Sequence, residues 1–336
     1  MLPGYDTTDD DIYPLLLPHV SIQGGALVLG NIKVRDLTDE EEKLCVLCNG
    51  SLSLREILEQ TDAIWMLPEI SSFIVELPAP IVQRSHTDKE QRVLIISPNP
   101  QTAYLSAGGT LLKWKDAEVL NLICLANTAD CIHPELFSQA NEISAIRYDE
   151  GELCSRICNC TNQYLNYPDY SHRKQEWQGS SKAELSYDLA AALKFALFDA
   201  ISRFNPSVIM VPAAIGNHPD NAMINKIMID FFKNNHFPAA DFFLYQDFPY
   251  AVAYNMIDDF LWKTENMFVK VKDHFEDITE QLATKELLYD VYFSALEPGN
   301  RSLVAHIAKR NLVACTGQHM AAAKGAEHFY QLIPFN

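Results

Sequence analysis

The stretch RVLIISPNPQTA, residues 92–103, decides the fold class of this 336-residue chain. Its β-branched and apolar run ends in a Pro-Asn-Pro turn, and the small residues SAGGT, 106–110, then begin a helical pattern. A buried strand that leads through a loop into a helix is the unit that builds a parallel α/β sheet. Because ligands bind beyond the carboxyl ends of such strands, we expect the functional site at residues 99–106.

Composition limits the classes of partner. The net charge of -18 disfavours binding to nucleic acids or to an anionic membrane surface, since both require clustered Lys and Arg. The hydrophobic content of 48% is sufficient for a packed core, and no apolar run reaches the length of a membrane span. The N-terminal residues 1–11 are acidic and lack the apolar region of a secretory signal. Eight unevenly spaced cysteines do not indicate a disulfide framework, so we expect reduced thiols and a cytoplasmic location.

Residues 12–76 are predicted to form a small N-terminal domain. Gly24-Gly25 joins two short apolar runs and predicts a hairpin. Thr38 with Glu41, and Ser53 with Glu56, are capping boxes that predict the starts of two helices. Asn49-Gly50 lies between the two helices and is predicted to end the first.

This order of hairpin, helix, turn and helix resembles the winged-helix domain typified by the peptide chaperone of pyrroloquinoline quinone biosynthesis, a PqqD-like domain. In that family the domain adds the leader segment of a peptide to the edge of its sheet, so the resemblance implies a peptide or protein partner. DNA binding is disfavoured because Arg55 is the only cation on the second helix, beside Glu56 and Glu59. The alternative is that this unit only packs against the main domain.

Residues 77–91 contain prolines and polar residues and are interpreted as a linker, and residues 92–336 as the main domain. Further buried strands are predicted at 119–125 and 207–212. Helices are predicted at 143–158, 185–204 and 222–233.

The main domain resembles the PIG-L/LmbE superfamily of zinc-dependent N-acetylglucosaminyl deacetylases. In that family the first strand ends in Pro-His-Pro-Asp-Asp-Glu and continues to Ala-Gly-Gly-Thr. Here Asn99 occupies the position of the zinc-binding His, Gln101 that of the general base, and Thr102 that of the zinc-binding Asp. The resemblance therefore implies the family's backbone without its metal ligands.

The second family signature, His-Pro-Asp-His, corresponds to His218-Pro219-Asp220-Asn221. In the family the first His polarises the substrate carbonyl, the Asp orients that His, and the last His binds zinc. His218 and Asp220 are retained, whereas Asn221 replaces the zinc ligand. A structural alternative is that His218 and Asp220 only cap the helix that begins at Pro219.

Three further landmarks match the family in order. Arg147 and Glu150 lie at the family spacing on a helix, with Asn159 where the family has the glycine that ends it. Tyr167-Pro168-Asp169 and Gly325–Phe329 match two later segments. The resemblance implies a Rossmann-like three-layer α/β sandwich with a mostly parallel sheet. It also places Arg147 and Asp169 near the pocket, with an internal salt link as the alternative.

We expect no metal and no cofactor, because two amides and a hydroxyl are weak zinc ligands and Gln101 cannot accept a proton from water at neutral pH. The replacements Asn99, Gln101, Thr102 and Asn221 are all polar, which favours a pocket that still binds a polar small molecule. One interpretation is a non-catalytic component of a peptide or natural-product biosynthetic complex. The alternative is a metal-independent enzyme that acts through His218 and Asp220 on an amide, ester or glycosyl-type substrate.

Other candidates for chemistry are the cysteines and three histidines. Cys154 and Cys158 share one helix face near Cys160, as a metal site could require, but core packing is the simpler interpretation. The same holds for Cys45 and Cys48, which lie inside a predicted helix. The remaining histidines in loop-like stretches are interpreted as surface or pocket residues: His133, His172 and His236.

Overall fold

The computed structural model describes residues 12–70, 73–77, 80–81, 91–137, 139–176, 187–266, 270–297, 299–315, 320 and 322–333. Most of the predicted linker and the predicted start of a helix at Leu185 lie outside the described residues. No helix in the described ranges is long and apolar enough to cross a bilayer.

Over its described residues, the N-terminal unit contains five short strands and three short α-helices. Its elements are β1 (Tyr13–Leu16), β2 (Val20–Gln23), β3 (Ala26–Leu29), β4 (Ile32–Asp36), α1 (Asp39–Leu47), α2 (Leu54–Leu58), α3 (Leu67–Ile70) and β5 (Ile74–Leu77). Strands β2, β3 and β4 form an antiparallel sheet, and β1 pairs with β5 in a second one. The pairing of β1 with β5 and the third strand β4 were not predicted from the sequence.

The local signals in this unit are confirmed. Gly24 and Gly25 both have positive φ, as the two-residue turn between β2 and β3 requires. Both capping boxes are formed: Thr38 and Glu41 at the start of α1, and Ser53 and Glu56 at the start of α2.

The main part of the chain is a seven-stranded sheet between two helical layers. Its strands are β6 (Arg92–Ser97), β7 (Glu118–Ile123), β8 (Thr161–Tyr164), β9 (Val208–Pro212), β10 (Asp241–Tyr245), β11 (Lys270–Asp277) and β12 (Ala326–Ile333). The spatial order is β11-β12-β10-β9-β6-β7-β8, with parallel pairing from β10 to β8 and antiparallel pairing on both sides of β12. The predicted mostly parallel α/β sheet is confirmed.

Strand β6 lies inside the sheet and is buried on both faces. Val93 and Ile95 point into one apolar cluster, whereas Leu94 and Ile96 point into another. This burial explains why the sequence of β6 is continuously apolar rather than alternating.

The helices of the main part are α4 (Thr102–Lys113), α5 (Ala140–Cys158), α6 (Tyr170–Glu176), α7 (Tyr187–Phe204), α8 (Pro219–Lys233), α9 (Tyr254–Asn266), α10 (Leu282–Val291) and α11 (Ser302–Ala314). Side chains of α4, α5, α10 and α11 cover one face of the sheet, and those of α7, α8 and α9 cover the other. Helices α5 and α8 each begin three residues earlier than predicted. Asn159 ends α5 in the left-handed conformation, φ 53°, as the sequence predicted.

The two-stranded sheet of the N-terminal unit packs into the main core. Leu15 of β1 and Leu17, just after it, belong to the same apolar cluster as Val93 of β6, as do Val75 and Leu77 of β5. The three-stranded sheet and helices α1 to α3 instead enclose a separate small cluster around Leu44 and Ile57. The N-terminal unit thus has its own core and is anchored through β1 and β5.

Helix α4 lies against β12 and α10 through a buried ion pair. Lys285 and Glu327 are 2.6 Å apart, and their side chains are 4% and 3% exposed. The Glu327 carboxylate also accepts hydrogen bonds from the backbone N–H groups of Gly109 and Thr110, each at 2.8 Å. A Cβ at position 108 would lie 2.8 Å from the Leu288 side chain of α10, and one at position 109 would lie 2.7 Å from the Ile278 side chain, so these glycines permit the close approach of α4 to its neighbours.

We predict that Glu327→Gln lowers the free energy of unfolding by about 3–5 kcal/mol, because Lys285 is left as an uncompensated buried charge. The double variant Lys285→Met/Glu327→Gln should lose less, since it buries no unpaired charge. Denaturant unfolding measures both. The half-exposed pair Lys194–Asp230 is the control, and Asp230→Asn should cost about 1 kcal/mol or less. Equal losses at the two sites would contradict the assigned role of Glu327.

Candidate functional site

The loop between β6 and α4 is held by its own side chains. Asn99 accepts a hydrogen bond from the Thr102 hydroxyl, and the Thr102 N–H donates to the Asn99 carbonyl at 3.2 Å. Gln101 occupies the cap position of α4 but makes no side-chain cap bond. Its Oε1 is buried and has no hydrogen-bond partner among the described residues.

The loop before α8 adopts an unusual backbone. Ala214, Gly216 and Asn217 have positive φ of 62°, 81° and 55°. A Cβ at position 216 would lie 2.6 Å from the Tyr250 ring, so glycine is required there on two grounds. The loop delivers His218 to the N-terminus of α8, where Pro219 occupies the first turn.

All eight site residues predicted from the sequence line one cavity of about 230 Å³. It lies beyond the carboxyl ends of the parallel strands, where such sheets bind ligands. The eight residues are Asn99, Gln101, Thr102, Arg147, Asp169, His218, Asp220 and Asn221.

Further lining residues were missed. Thr128 and Asp130 follow β7, and Phe248 and Tyr250 follow β10, so the rule that led to residues 99–106 would have found them. Tyr170 directly follows the Tyr-Pro-Asp segment. Leu296 also lines the cavity, but no sequence pattern marked it.

His218 and Asp220 lie side by side in the cavity but do not form a hydrogen bond with each other. The His218 Nδ1 and Asp220 Oδ2 atoms are 4.0 Å apart, which is too far for a hydrogen bond. The Asp220 carboxylate instead forms a buried ion pair with Arg173 at 2.7 Å and accepts the Tyr170 N–H at 3.1 Å. The side chain of His218 does not cap α8 either, because it makes no hydrogen bond to the first turn of the helix.

Arg147 and Asp169 each bond to groups other than one another. Arg147 Nη2 donates to the carbonyls of Asp130 at 3.2 Å and Ser294 at 3.1 Å. Its Nε and Nη1 are buried and have no partner in the described part of the chain. Asp169 accepts from the Ser171 hydroxyl at 2.7 Å and caps the start of α6. These hydrogen bonds of Arg147 and Asp169 therefore do not form the salt link between the two residues that was the alternative.

Asn221 is bonded to a buried carboxylate that the sequence did not single out. Its amide donates to Asp247 at 2.6 Å, and the Ile215 N–H donates to the other oxygen of Asp247 at 2.8 Å. Burial raises the pKa of Asp247 to about 7, against the opposing effect of these hydrogen bonds. Asp247 thus fixes both Asn221 and the loop that carries His218.

The donor set at the three family zinc positions does not fit zinc. Asn99, Thr102 and Asn221 offer amide and hydroxyl groups, and each is bonded to a neighbouring side chain. Over the described ranges, no group of three or more His, Cys, Asp or Glu side chains is arranged to hold a metal ion.

The remaining candidates lie outside the cavity lining. All eight cysteines are unpaired, and burial raises the pKa of the thiols of Cys154, Cys158 and Cys160. These thiols pack in the core of the main part. His133 stacks on Phe293, and His236 contacts Phe231, both from loops, whereas His172 lies in α6 rather than in the predicted loop.

The loops before α4 and before α8 both lie within residues 94–232. Residues 94–232 match the model of the family described as PIG-L, GlcNAc-PI de-N-acetylase. The match shows similarity to this family over less than half of the chain. No curated protein matches the sequence.

Solved structures share the fold of this domain at low identity. A deacetylase of the teicoplanin biosynthesis pathway is 17% identical with a TM-score of 0.56, covering 73% of this chain and 99% of that one. The A40926 pseudoaglycone deacetylase is 18% identical with a TM-score of 0.54, covering 74% and 99%. The N,N'-diacetylchitobiose deacetylase of Pyrococcus horikoshii is 16% identical with a TM-score of 0.50, covering 81% and 92%. These similarities show that the chain shares the fold of these structures.

The buried carboxyl group of Asp247 should make the stability of the protein depend on pH. Burial raises the pKa of Asp247 to about 7, above the value of an unfolded aspartate. The folded state then binds more protons than the unfolded state, so this contribution is full below the unfolded pKa and is lost as the pH rises through about 7.

We predict that the free energy of unfolding of the wild type, relative to Asp247→Asn, falls by up to about 4 kcal/mol between about pH 4 and about pH 8. Glu150, whose pKa burial also raises to about 7, is present in both proteins and cancels in the difference. Denaturant unfolding at a series of pH values measures the effect. If the free energies of unfolding of the wild type and Asp247→Asn change in parallel with pH, Asp247 is not the source of the pH dependence.

Proposed function

We propose that this chain is a deacetylase-like protein whose cavity binds a polar small molecule without zinc-dependent deacetylation. The observation that carries the proposal is the bonding of the three residues at the family zinc positions. Thr102 bonds to Asn99, and Asn221 bonds to Asp247, so each side chain already has a partner inside the protein. A metal ion would have to displace these bonds with neutral and weak ligands.

The base position supports the same proposal. Gln101 has a neutral amide that cannot accept a proton from a water molecule at neutral pH. A zinc hydrolase requires both an activated water and a group that takes its proton. Both requirements are unmet at the positions where the family supplies them.

The cavity is suited to a small polar ligand. Its volume of about 230 Å³ lies below the range of about 300–1,000 Å³ that is usual for drug-sized ligands. Arg147 and Gln101 supply buried polar atoms without a partner among the described residues. Buried polar groups normally find a hydrogen-bond partner, so a ligand that supplies one is favoured.

We further propose that residues 12–76 form a PqqD-like winged-helix domain that recruits a peptide or protein partner. We propose that the protein acts in a peptide or natural-product biosynthetic complex in the cytoplasm. The supporting observation is β4, one of the two outer strands of the three-stranded sheet as described, where Ile32 and Val34 are 47% and 45% exposed. An edge strand with exposed apolar side chains favours addition of an extended peptide. Residues 77–91 then act as the linker to the domain formed by 92–336.

A metal-independent enzyme acting on an amide, ester or glycosyl-type substrate is the second candidate. His218 favours it, because its side chain is 28% exposed at the cavity and its Nδ1 has no hydrogen-bond partner in the described ranges. The pairing of Asp220 with Arg173 disfavours it, since that carboxylate is then not available to orient the imidazole.

We predict that the triple variant Asn99→His/Thr102→Asp/Asn221→His gains zinc binding in a calorimetric titration, because it restores three charged or imidazole ligands. The wild type and the single variant Asn99→His, which lacks the other two ligands, should show none. Neither of these two proteins should release acetate from N,N'-diacetylchitobiose when zinc is added. Zinc-dependent release by the wild type would overturn the proposal. Metal-free release that His218→Ala abolishes would favour the second candidate.

For the N-terminal domain, we predict that the wild type enriches extended peptides with alternating apolar residues from a displayed random library. The variant Ile32→Lys/Val34→Lys should lose this enrichment, because charges on an edge strand oppose strand addition. Val46→Lys is the matched control, since Val46 is also exposed but lies on α1. Equal enrichment by the β4 variant and the wild type would contradict recruitment through β4.

A further inference from the structure

A second, larger cavity is lined by residues of both the N-terminal unit and the main part of the chain. Its volume of about 660 Å³ lies within the range of about 300–1,000 Å³ that is usual for ligand pockets. We call it the β5 groove, because consecutive residues of β5 line it together with residues of α10. These residues are Ile74, Val75 and Glu76 of β5 and Leu287 and Tyr289 of α10.

The open edge of β5 faces this groove. Side chains of neighbouring strand residues point to opposite faces, so a cavity lined by three consecutive residues runs along the edge of the strand. The N–H of Leu17 donates to Phe73, just before β5, whereas the N–H of Leu16 donates to Cys48 on the other side of β1. Leu16 is opposite Ile74, so these two exchange no hydrogen bonds and the backbone groups of Ile74 point to the open edge. Those backbone groups have no hydrogen-bond partner among the described residues.

His19 adds a buried polar atom to the β5 groove. The residue is 4% exposed, and its Nδ1 has no hydrogen-bond partner in the described ranges. Its ring stacks on that of Phe293, which also lines the groove, with the centroids 4.0 Å apart. Burial and, to a smaller extent, the nearby His133 lower the pKa of His19 to about 4, so the imidazole is uncharged at neutral pH. An uncharged imidazole and an open strand edge both match the N–H and C=O groups of a peptide.

The charged side chains of the β5 groove favour a basic peptide. Glu76 and Asp290 contribute carboxylates, and Arg301 contributes the one guanidinium among the described lining residues. Arg301 pairs with Asp290 at 2.8 Å. The lining therefore carries one negative charge in excess, which is complementary to a Lys or Arg side chain of a partner.

The β5 groove meets the polar cavity at Leu296, which lines both. We propose that the groove binds an extended basic peptide as an added strand on β5, and that the polar group received by the cavity is carried on this peptide. This inference rests on the proposed function of the cavity as a binding site. It adds to the recruitment through β4 a second contact that lies beside the cavity.

The test is selection from a displayed random peptide library on full-length protein in which Ile32→Lys/Val34→Lys blocks β4. This protein should enrich peptides rich in Lys and Arg. Adding Glu76→Lys should abolish that enrichment, because it reverses a charge of the groove. Adding Glu59→Lys should keep it, since Glu59 is also an exposed carboxylate of the N-terminal unit but lies at the end of α2. Equal enrichment by the Glu76→Lys and Glu59→Lys proteins would overturn the proposal, as would the absence of enrichment.

Photo-cross-linking locates the peptide even where Glu76→Lys fails to fold. Benzoylphenylalanine is placed at either end of an enriched basic peptide, and the cross-links to the β4-blocked protein are mapped by mass spectrometry. One end should reach the cavity at Leu296 or Phe248. Cross-links confined to other surfaces would overturn the proposal, as would a dimer of the peptide-free protein that Glu76→Lys dissociates, because a second copy would then fill the groove.

The outcomes for the groove and for the cavity are distinguishable. Peptide binding without a cross-link in the cavity would overturn the connection at Leu296 and leave the binding of a polar small molecule in place. Zinc-dependent release of acetate by the wild type would overturn the proposed function of the cavity, whatever the peptide selection shows.

Discussion

The carboxylate of Glu327 is the group on which the arrangement of the cavity depends. It accepts two backbone N–H groups of α4 and pairs with Lys285 of α10, at a point where α4 approaches β12 closely. Lys285 also donates to the Ser106 carbonyl at 3.2 Å, so both members of the pair hold the same helix. Helix α4 begins at Thr102, directly after the loop that carries Asn99 and Gln101. The position of one wall of the cavity is therefore set by a buried ion pair that bonds to α4 at Ser106, Gly109 and Thr110.

The opposite wall is held by a second set of buried charges. Asp247 binds the Asn221 amide and the Ile215 N–H, and Arg173 binds Asp220. In both cases a carboxylate is used to fix the backbone and a neighbouring side chain. The carboxylates of Asp220 and Asp247 are thus bonded inside the protein, and the amides of Asn99, Gln101 and Asn221 line the cavity. The site is therefore polar but poor in metal ligands.

Local features were predictable because their signals lie within a few residues. The capping boxes at Thr38 and Ser53 and the left-handed Asn159 each follow from neighbouring residues and are found as predicted. The gathering of the site residues around one cavity was also predictable, because the carboxyl ends of parallel strands meet at one edge of the sheet.

The pairings inside the site were not predictable. Arg173 and Asp220 are separated by 47 residues, and Asn221 and Asp247 by 26, so only the packing of helices against the sheet brings them together. The family resemblance implied that Asp220 orients His218, but the sequence did not show that the buried guanidinium of Arg173 pairs with this carboxylate. The pairing of β1 with β5 was missed for the same reason, since the two strands are about 60 residues apart.

The central claim is that the PIG-L-type fold here carries a polar cavity without a zinc site. Elemental analysis of the purified wild-type protein, expressed in zinc-containing medium and dialysed without a chelator, tests it most directly. The account predicts far less than one zinc ion per chain. A stoichiometric zinc ion that survives dialysis would contradict it and would show that ligands other than Asn99, Thr102 and Asn221 hold the metal.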